Sequence, residues 1–372
     1  MRPPVGHCAL PMSCGAHMPC QYAPPRTAWR HLPCAQGRYP QHAMHDEFFR
    51  CPDFASGTPA RSPTATMPAR SVESAALPLH RRRKTALPDR LAVLAQYALP
   101  KRALTTWAGK WASARLGGLT TALIRRFVAR YDVNMAEAAN PDMAGYASFN
   151  DFFTRALQPG ARPLARADLI CPVDGAISQF GRIGKDRIFQ AKGHAYSTTA
   201  LLGGDAAMAA RFDDGHFATL YLSPRDYHRV HMPCAGELTR MVHVPGELFS
   251  VNPATACVVP GLFARNERVV CVFESAPGPG GPFALVLIGA AIVGSMATVW
   301  HGQVNPPRPG TLRQWDYAKG QVRLQQGQEM GRFLLGSTVV LLLPRGPLQF
   351  NPQWAPARPI MLGQAMAQRC AD

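Results

Sequence analysis

No two of the ten cysteines form a Cys-x-x-Cys pair. Zinc-ribbon spacing and a dense disulfide framework are therefore both excluded. Cys8, Cys14, Cys20, Cys34 and Cys51 crowd into the first 51 residues, while Cys171, Cys234, Cys257, Cys271 and Cys370 are scattered, which fits a reducing compartment. Negative charge is scarce as well: 23 Asp and Glu face 40 Lys and Arg, for a formal charge of +17 in 372 residues. Such a balance calls for an anionic partner. No zinc-finger spacing occurs, nor any basic run interleaved with stacking aromatics, so nucleic acid is not expected as that partner. An acidic membrane surface suits the chain better. The N-terminus has no apolar stretch of the signal-peptide kind; Arg2, Pro3 and Pro4 lead into scattered polar residues. One segment has the length of a bilayer span, the 18 charge-free residues 283–300. It is rich in β-branched residues and interrupted by Gly289 and Gly294, so two buried strands with a glycine-assisted bend account for it equally well.

What is present changes character along the chain, and an α+β architecture is expected. Residues 1–87 hold 13 prolines, carry 11 basic against 4 acidic side chains and show no lasting periodicity. They read as a disordered extension or as translation from too early a start, with Met67 as a later one. The run Arg81-Arg82-Arg83-Lys84 is a charge cluster suited to an anionic surface. Outside this extension 29 basic and 19 acidic residues remain, a net +10. Residues 88–158 read as helical and as the membrane-docking region. Leu119, Leu123, Phe127 and Tyr131 recur every four residues beside Arg125, Arg126 and Arg130, and Trp107 and Trp111 lie near Lys101, Arg102 and Lys110. That pattern fits an interfacial helix and equally a helix packed on a core. From about residue 159 to 353 a mostly β catalytic domain is expected, with strands at 176–180, 217–222, 236–244, 268–273, 285–293 and 333–343. Residues 354–372 are expected to form a C-terminal tail.

Gly336-Ser337-Thr338 interrupts the last of these apolar runs. Glycine and serine both weaken a strand, and glycine lets another group approach the backbone closely. A serine hydroxyl beside that glycine carbonyl is one rotamer away from attacking it. The pattern fits a strand with a bulge, or a site where the chain does chemistry on itself. A serine nucleophile needs a base, and a histidine base works best beside a carboxylate. Asp174, followed by Gly175 at a turn, together with His228 and His231 in 221–233, could supply both. Asp174 could equally be a turn residue, and either histidine a core residue.

Residues 221–233, the block Gln190-Ala191-Lys192-Gly193-His194, and 329–333 with Leu335-Gly336-Ser337-Thr338 are similar to the signature blocks of phosphatidylserine decarboxylase proenzymes of the bacterial, membrane-associated type. Residues 149–155, Phe-Asn-Asp-Phe-Phe-Thr-Arg, resemble a Phe-rich block upstream. The resemblance runs from about Pro88 to about Gln353. It implies self-cleavage between Gly336 and Ser337, with Ser337 deprotonated by His231 and His231 oriented by Asp174. It also implies that Ser337 becomes a pyruvoyl group, a covalent cofactor that forms a Schiff base with the substrate amine, with no metal. His228 is then the proton donor of decarboxylation, and Tyr221 a head-group contact. The implied substrate is phosphatidylserine in the bilayer and the product phosphatidylethanolamine. The implied assembly is a heterodimer of the two chains, 1–336 and 337–372, with a higher oligomer left open. The implied place is the cytoplasmic side of the cell membrane, held peripherally.

Overall fold

The computed structural model describes Val93, Gln96, Tyr97 and residues 99–275, 280–291, 295–334 and 337–370, without the side chains of Arg102 and Ser337. The extension 1–87 and the Arg81–Lys84 cluster lie outside the described residues.

The apolar runs become strands buried on both faces. In Ser337–Leu343, Val339, Leu341 and Leu343 enter one core cluster, and Val340 and Leu342 enter another. Its neighbour Pro282–Ile288 divides the same way, Leu285 and Leu287 to the first cluster, Ala284, Val286 and Ile288 to the second. A strand between two apolar layers needs no polar alternation, which is why these segments read as continuous hydrophobic runs. They form the middle of a nine-stranded antiparallel sheet. Its order is Arg313–Asp316, Gly236–Val244, Arg268–Ser275, Pro282–Ile288, Ser337–Leu343, His216–Leu222, Gly175–Arg182 and Pro359–Ile360, with Arg323–Leu324 also paired to Gly236–Val244.

A four-stranded sheet carries Gly302–Asn305, Met296–Thr298, Glu329–Phe333 and Arg229–His231 in that order. The expected single strand 333–343 is thereby corrected. Phe333 closes a strand of the small sheet, and Ser337 opens a strand of the large one. The run looked continuous because the corner between the sheets is flanked by core residues on both sides. Residues 283–300 likewise split, Pro282–Ile288 in the large sheet and Met296–Thr298 in the small one, which is the two-strand alternative. The strand expected to reach 293 ends at Ile288, where Gly289 N donates instead to Glu267 O at 2.8 Å.

Residues 354–372 are not a tail. Ala365–Arg369 is the middle strand of a three-stranded sheet between Leu169–Ile170 and Leu348–Phe350, and Trp354, Ile360, Leu362 and Met366 are buried. Their strands are two to five residues long and punctuated by turns, too short to announce themselves by alternation. In the N-terminal part, helices Lys101–Ser113, Gly118–Tyr131 and Phe149–Phe153 share a small core of Ala112, Ile124, Val133, Phe149, Phe152 and Phe153.

Leu341→Ala should cost about 3 kcal/mol, because the site is held by strands on both edges and cannot collapse around the lost side chain. A lowered denaturant midpoint with unchanged slope is the expected measurement.

Candidate active site

Register brings the predicted residues to one end of the large sheet. Ser337 pairs with Leu222, and Thr338 pairs with Tyr221, which in turn pairs with Ala176. Between Ala176 and Asp174 sits Gly175, whose added Cβ would strike the carbonyl of Tyr221. Only glycine lets this strand lie so close, and the approach sets Asp174 at the same sheet end as Ser337. One strand separates them, two inter-strand spacings or about 10 Å of backbone.

The two histidines arrive by a second route. From Leu222 the chain runs through 223–228 into Arg229–His231, and from Phe333 it needs three residues to reach Ser337. Arg229 pairs with Arg332, and Phe333 N donates to His228 O at 3.0 Å. Segment 223–228 therefore joins the same two sheets that Phe333 and Ser337 belong to. His231 N also donates to Pro172 O at 2.9 Å, tying in the segment before Asp174. Gly336 lies outside the described residues, as does the Ser337 side chain; the backbone of Ser337 opens its strand.

His228 is fully buried, its ring centroid 4.0 Å from that of Phe153. Its Nδ1 lies 2.7 Å from Asp226 O. A carbonyl accepts only, so Nδ1 carries the proton and Nε2 a lone pair, and among the described residues Nε2 has no partner. Burial pushes this imidazole down to about 3, so it is neutral at ordinary pH. His231 is half-buried. Its Nδ1–H donates to Gly327 O at 2.8 Å, and the Tyr227 hydroxyl lies 3.1 Å from Nε2 as donor. Burial lowers its pKa too.

Asp174 does not orient His231. Its Oδ1 accepts from Arg162 Nε at 3.0 Å and Leu362 N at 2.8 Å, and its Oδ2 from Arg162 Nη2 at 2.6 Å. Arg162 also donates to Glu137 at 2.6 Å. Both ring nitrogens of His231 are taken by other groups. The expected hydrogen bond fails because a bidentate guanidinium twelve residues upstream claims the carboxylate. What remains between Asp174 and His231 is a field that favours the imidazolium.

Tyr221 packs against the cluster of Val340 and Leu342, whereas Leu222 belongs to that of Val339 and Leu341. It lines a small cavity of about 70 Å³ with Ala176, Ser178, Val251, Phe263 and Thr338, and burial pushes its hydroxyl up to about 12. Sequence reasoning missed Arg162, Tyr227, Asp226 and Arg155. Tyr227 and Asp226 lie inside the block 221–233, and Arg155 closes the block 149–155, so the signal was their membership in those blocks. Arg162 carried none. Among the described residues, no cluster of three or more His, Cys, Asp or Glu is placed to hold a metal.

Beside this corner, the apolar residues of the N-terminal helices face outward. Leu119 is 60 % exposed, Trp107 61 % and Trp111 51 %, with Leu104, Leu116, Leu123 and Tyr131 also exposed. Helix Gly118–Tyr131 packs inward through Thr120 and Ile124, and of the stripe at four-residue spacing Phe127 packs on the small core while Leu119, Leu123 and Tyr131 are exposed. Lys110, Arg115, Arg125, Arg126 and Arg130 flank that surface. No described helix is long and apolar enough to cross a membrane.

A family model for phosphatidylserine decarboxylase matches residues 149–368, and a second, described as PSD, matches 91–132. A phosphatidylserine decarboxylase proenzyme of Acidovorax ebreus is 73 % identical over 76 % of this chain and 99 % of its own length. Those of Albidiferax ferrireducens and Azoarcus sp. are 73 % and 71 % identical, over 76 % and 75 % of this chain and 98 % and 96 % of theirs. All three are decarboxylases made as proenzymes, and that is the class of this chain. More narrowly, it belongs to the phosphatidylserine decarboxylase family.

The neutral burial of His228 has a pH consequence. Its folded pKa lies below the unfolded value, so the unfolded chain binds the extra proton and stability falls as pH drops from about 6.5 toward 3. His228→Asn, which can still donate to Asp226 O, should flatten that fall. Thermal midpoints between pH 7 and 4 measure it, and an unchanged slope would contradict the assignment.

Proposed function

We propose that this chain is a proenzyme that cuts itself between Gly336 and Ser337 and then decarboxylates phosphatidylserine to phosphatidylethanolamine. The observation that carries the reading is the corner between the two sheets. Ser337 opens a strand of the large sheet, and Phe333, just before it, is bonded to the segment bearing a buried imidazole whose Nε2 has no partner among the described residues, which supports the reading.

In the processing step His231 is the base. Its Nδ1–H is fixed on Gly327 O, so Nε2 is the basic nitrogen, and it must exchange the Tyr227 hydroxyl for that of Ser337. Asp174, held by Arg162 and Leu362 N, stabilises the imidazolium through its charge rather than through a hydrogen bond. The Ser337 oxygen attacks the Gly336 carbonyl, the peptide bond becomes an ester, and elimination across Cα–Cβ splits it. Hydrolysis of the resulting dehydroalanine releases ammonia and leaves a pyruvoyl group at position 337. The surroundings suit that group: Leu222 and Val339 are buried apolar neighbours, and His228 Nε2 is an acceptor awaiting a proton. A pyruvoyl group supplies the electron sink that amino-acid decarboxylation needs and that ordinary side chains lack.

His228 acts after cleavage. With its only proton on Nδ1, it must first accept one at Nε2 and then return it to the substrate α-carbon. Tyr221 lines the neighbouring cavity as a substrate contact. The products of cleavage, 1–336 and 337–372, stay together as a heterodimer. The outward-facing Trp and Leu side chains with their arginine flank dock the enzyme on an anionic leaflet, peripherally and on the cytoplasmic side. The same surface favours a lipid over a soluble amino acid as substrate.

Ser337→Ala should remain one uncut chain without decarboxylase activity, while the native protein yields a fragment that starts at position 337 with a pyruvoyl mass; intact mass spectrometry reads both. His228→Ala should still process but decarboxylate about 10²-fold or more slowly. Complete loss of processing in that variant would exchange the roles of the two histidines. Leu119→Glu with Leu123→Glu should reduce co-flotation with phosphatidylserine-containing vesicles at least tenfold and leave the thermal midpoint in place, since both side chains are exposed. Undiminished flotation would move the docking surface elsewhere.

A further inference from the structure

Arg155 is a buried charge without a counter-ion. It is 5 % exposed, and no carboxylate among the described residues pairs with it. Its Nη2 donates to Arg225 O at 3.2 Å and its guanidinium lies 5.3 Å from the centre of the Phe152 ring, while Nε and Nη1 have no protein acceptor. Burying a guanidinium this way costs several kcal/mol unless something answers it. The side chain lines an open cavity of about 380 Å³ between helix Phe149–Phe153 and the small sheet. Arg229 and Arg332 line the same cavity. These two share one carboxylate, Glu329, with Arg229 Nη1 at 2.9 Å from Oε2 and Arg332 Nε at 2.8 Å from Oε1. Asp151 is the acidic side chain on the wall. Of the three guanidinium groups on this cavity the most buried is the one with no carboxylate in direct contact, Asp174, Asp226 and Glu137 acting on it only from farther off.

We propose that this cavity is a phosphate-binding site whose anion completes the hydrogen bonding of Arg155. Guanidinium forks from separate walls suit a tetrahedral oxyanion, which accepts from several directions, better than a planar carboxylate. The phosphate can be the phosphodiester of a phospholipid head group or free phosphate. The site stands whether or not the reaction above is right, since it rests on residues with no role in that chemistry. Because Arg155 also holds Arg225 O, an anion here braces the segment 223–228 that carries His228.

The test is calorimetric titration of the purified full chain with inorganic phosphate, with glycerophosphoserine as a soluble phosphodiester, and with acetate, all at equal ionic strength. Saturable phosphate binding is expected, with a thermal midpoint raised by about 3 °C at roughly tenfold excess over the dissociation constant. Arg155→Met should keep or raise the midpoint in phosphate-free buffer, because it removes an uncompensated buried charge, and should lose the phosphate response. Arg332→Gln, at the half-exposed rim, should weaken binding about tenfold while leaving Arg155 in place. Competition by glycerophosphoserine assigns the site to a head group, and its failure to compete assigns it to free phosphate. No saturable binding, equal binding of acetate, or an undiminished response in Arg155→Met would overturn the proposal.

Discussion

Everything at the active corner is registered against one strand. From Thr338 to Leu342 the strand Ser337–Leu343 is paired along both edges, and from Val339 onward it is buried between two core clusters, while Ser337 itself pairs on one edge, with Leu222. The serine therefore opens a strand that is anchored in the core from its second residue onward. The groups around it come from less regular pieces, the turn at Asp174 and the segment 223–228. Each is fastened by backbone bonds to the same two strand pairings, which lets a loop supply chemistry with the precision of a sheet.

The two histidines show how environment divides labour between identical side chains three residues apart. His228 is sealed against Phe153 and kept neutral, with one free basic nitrogen. His231 is partly open, with both nitrogens engaged and with Asp174 near enough to favour its charged form. Burial suppresses charge on both, and on the second the Gly327 carbonyl and the charges of Glu329 and Asp174 oppose that suppression. That is the arrangement needed if one imidazole must carry a transient positive charge and the other must return a proton to a substrate.

Much of this was legible in the amino-acid sequence, and the losses have physical reasons. The strands at 217–222, 236–244 and 268–273 were readable from apolar, β-branched runs bounded by turns. The change of sheet between Phe333 and Ser337 was not, because apolar strand residues lie on both sides of it and leave no polar signature. The N-terminal stripe of Leu119 and Leu123 was visible, but its direction was not; periodicity shows that a face exists and is silent on whether protein or solvent meets it. Both histidines were identifiable as candidates from the block 221–233, and Asp174 from its place before Gly175 at a turn. Their partners were not, since Arg162 and Leu362 reach Asp174 from distances of 12 and 188 residues along the chain. Hydrogen bonding across such separations is decided by packing, which pattern does not record.

The proposed position of the cut, between Gly336 and Ser337, also decides what it could do to the architecture. The segment from 337 onward is woven through the molecule: one strand lies between His216–Leu222 and Pro282–Ile288, another caps Gly175–Arg182, and two more build the sheet that holds Leu169–Ile170. Severing the backbone at residue 336 releases no piece, because the smaller chain is interleaved with the larger rather than attached to it. Such a molecule can be assembled only while it is one chain. On the proposed processing, folding comes first and cleavage second, and the cleaved pair could not readily be rebuilt from its separated parts. Irreversibility here is a property of topology, set before any bond is broken.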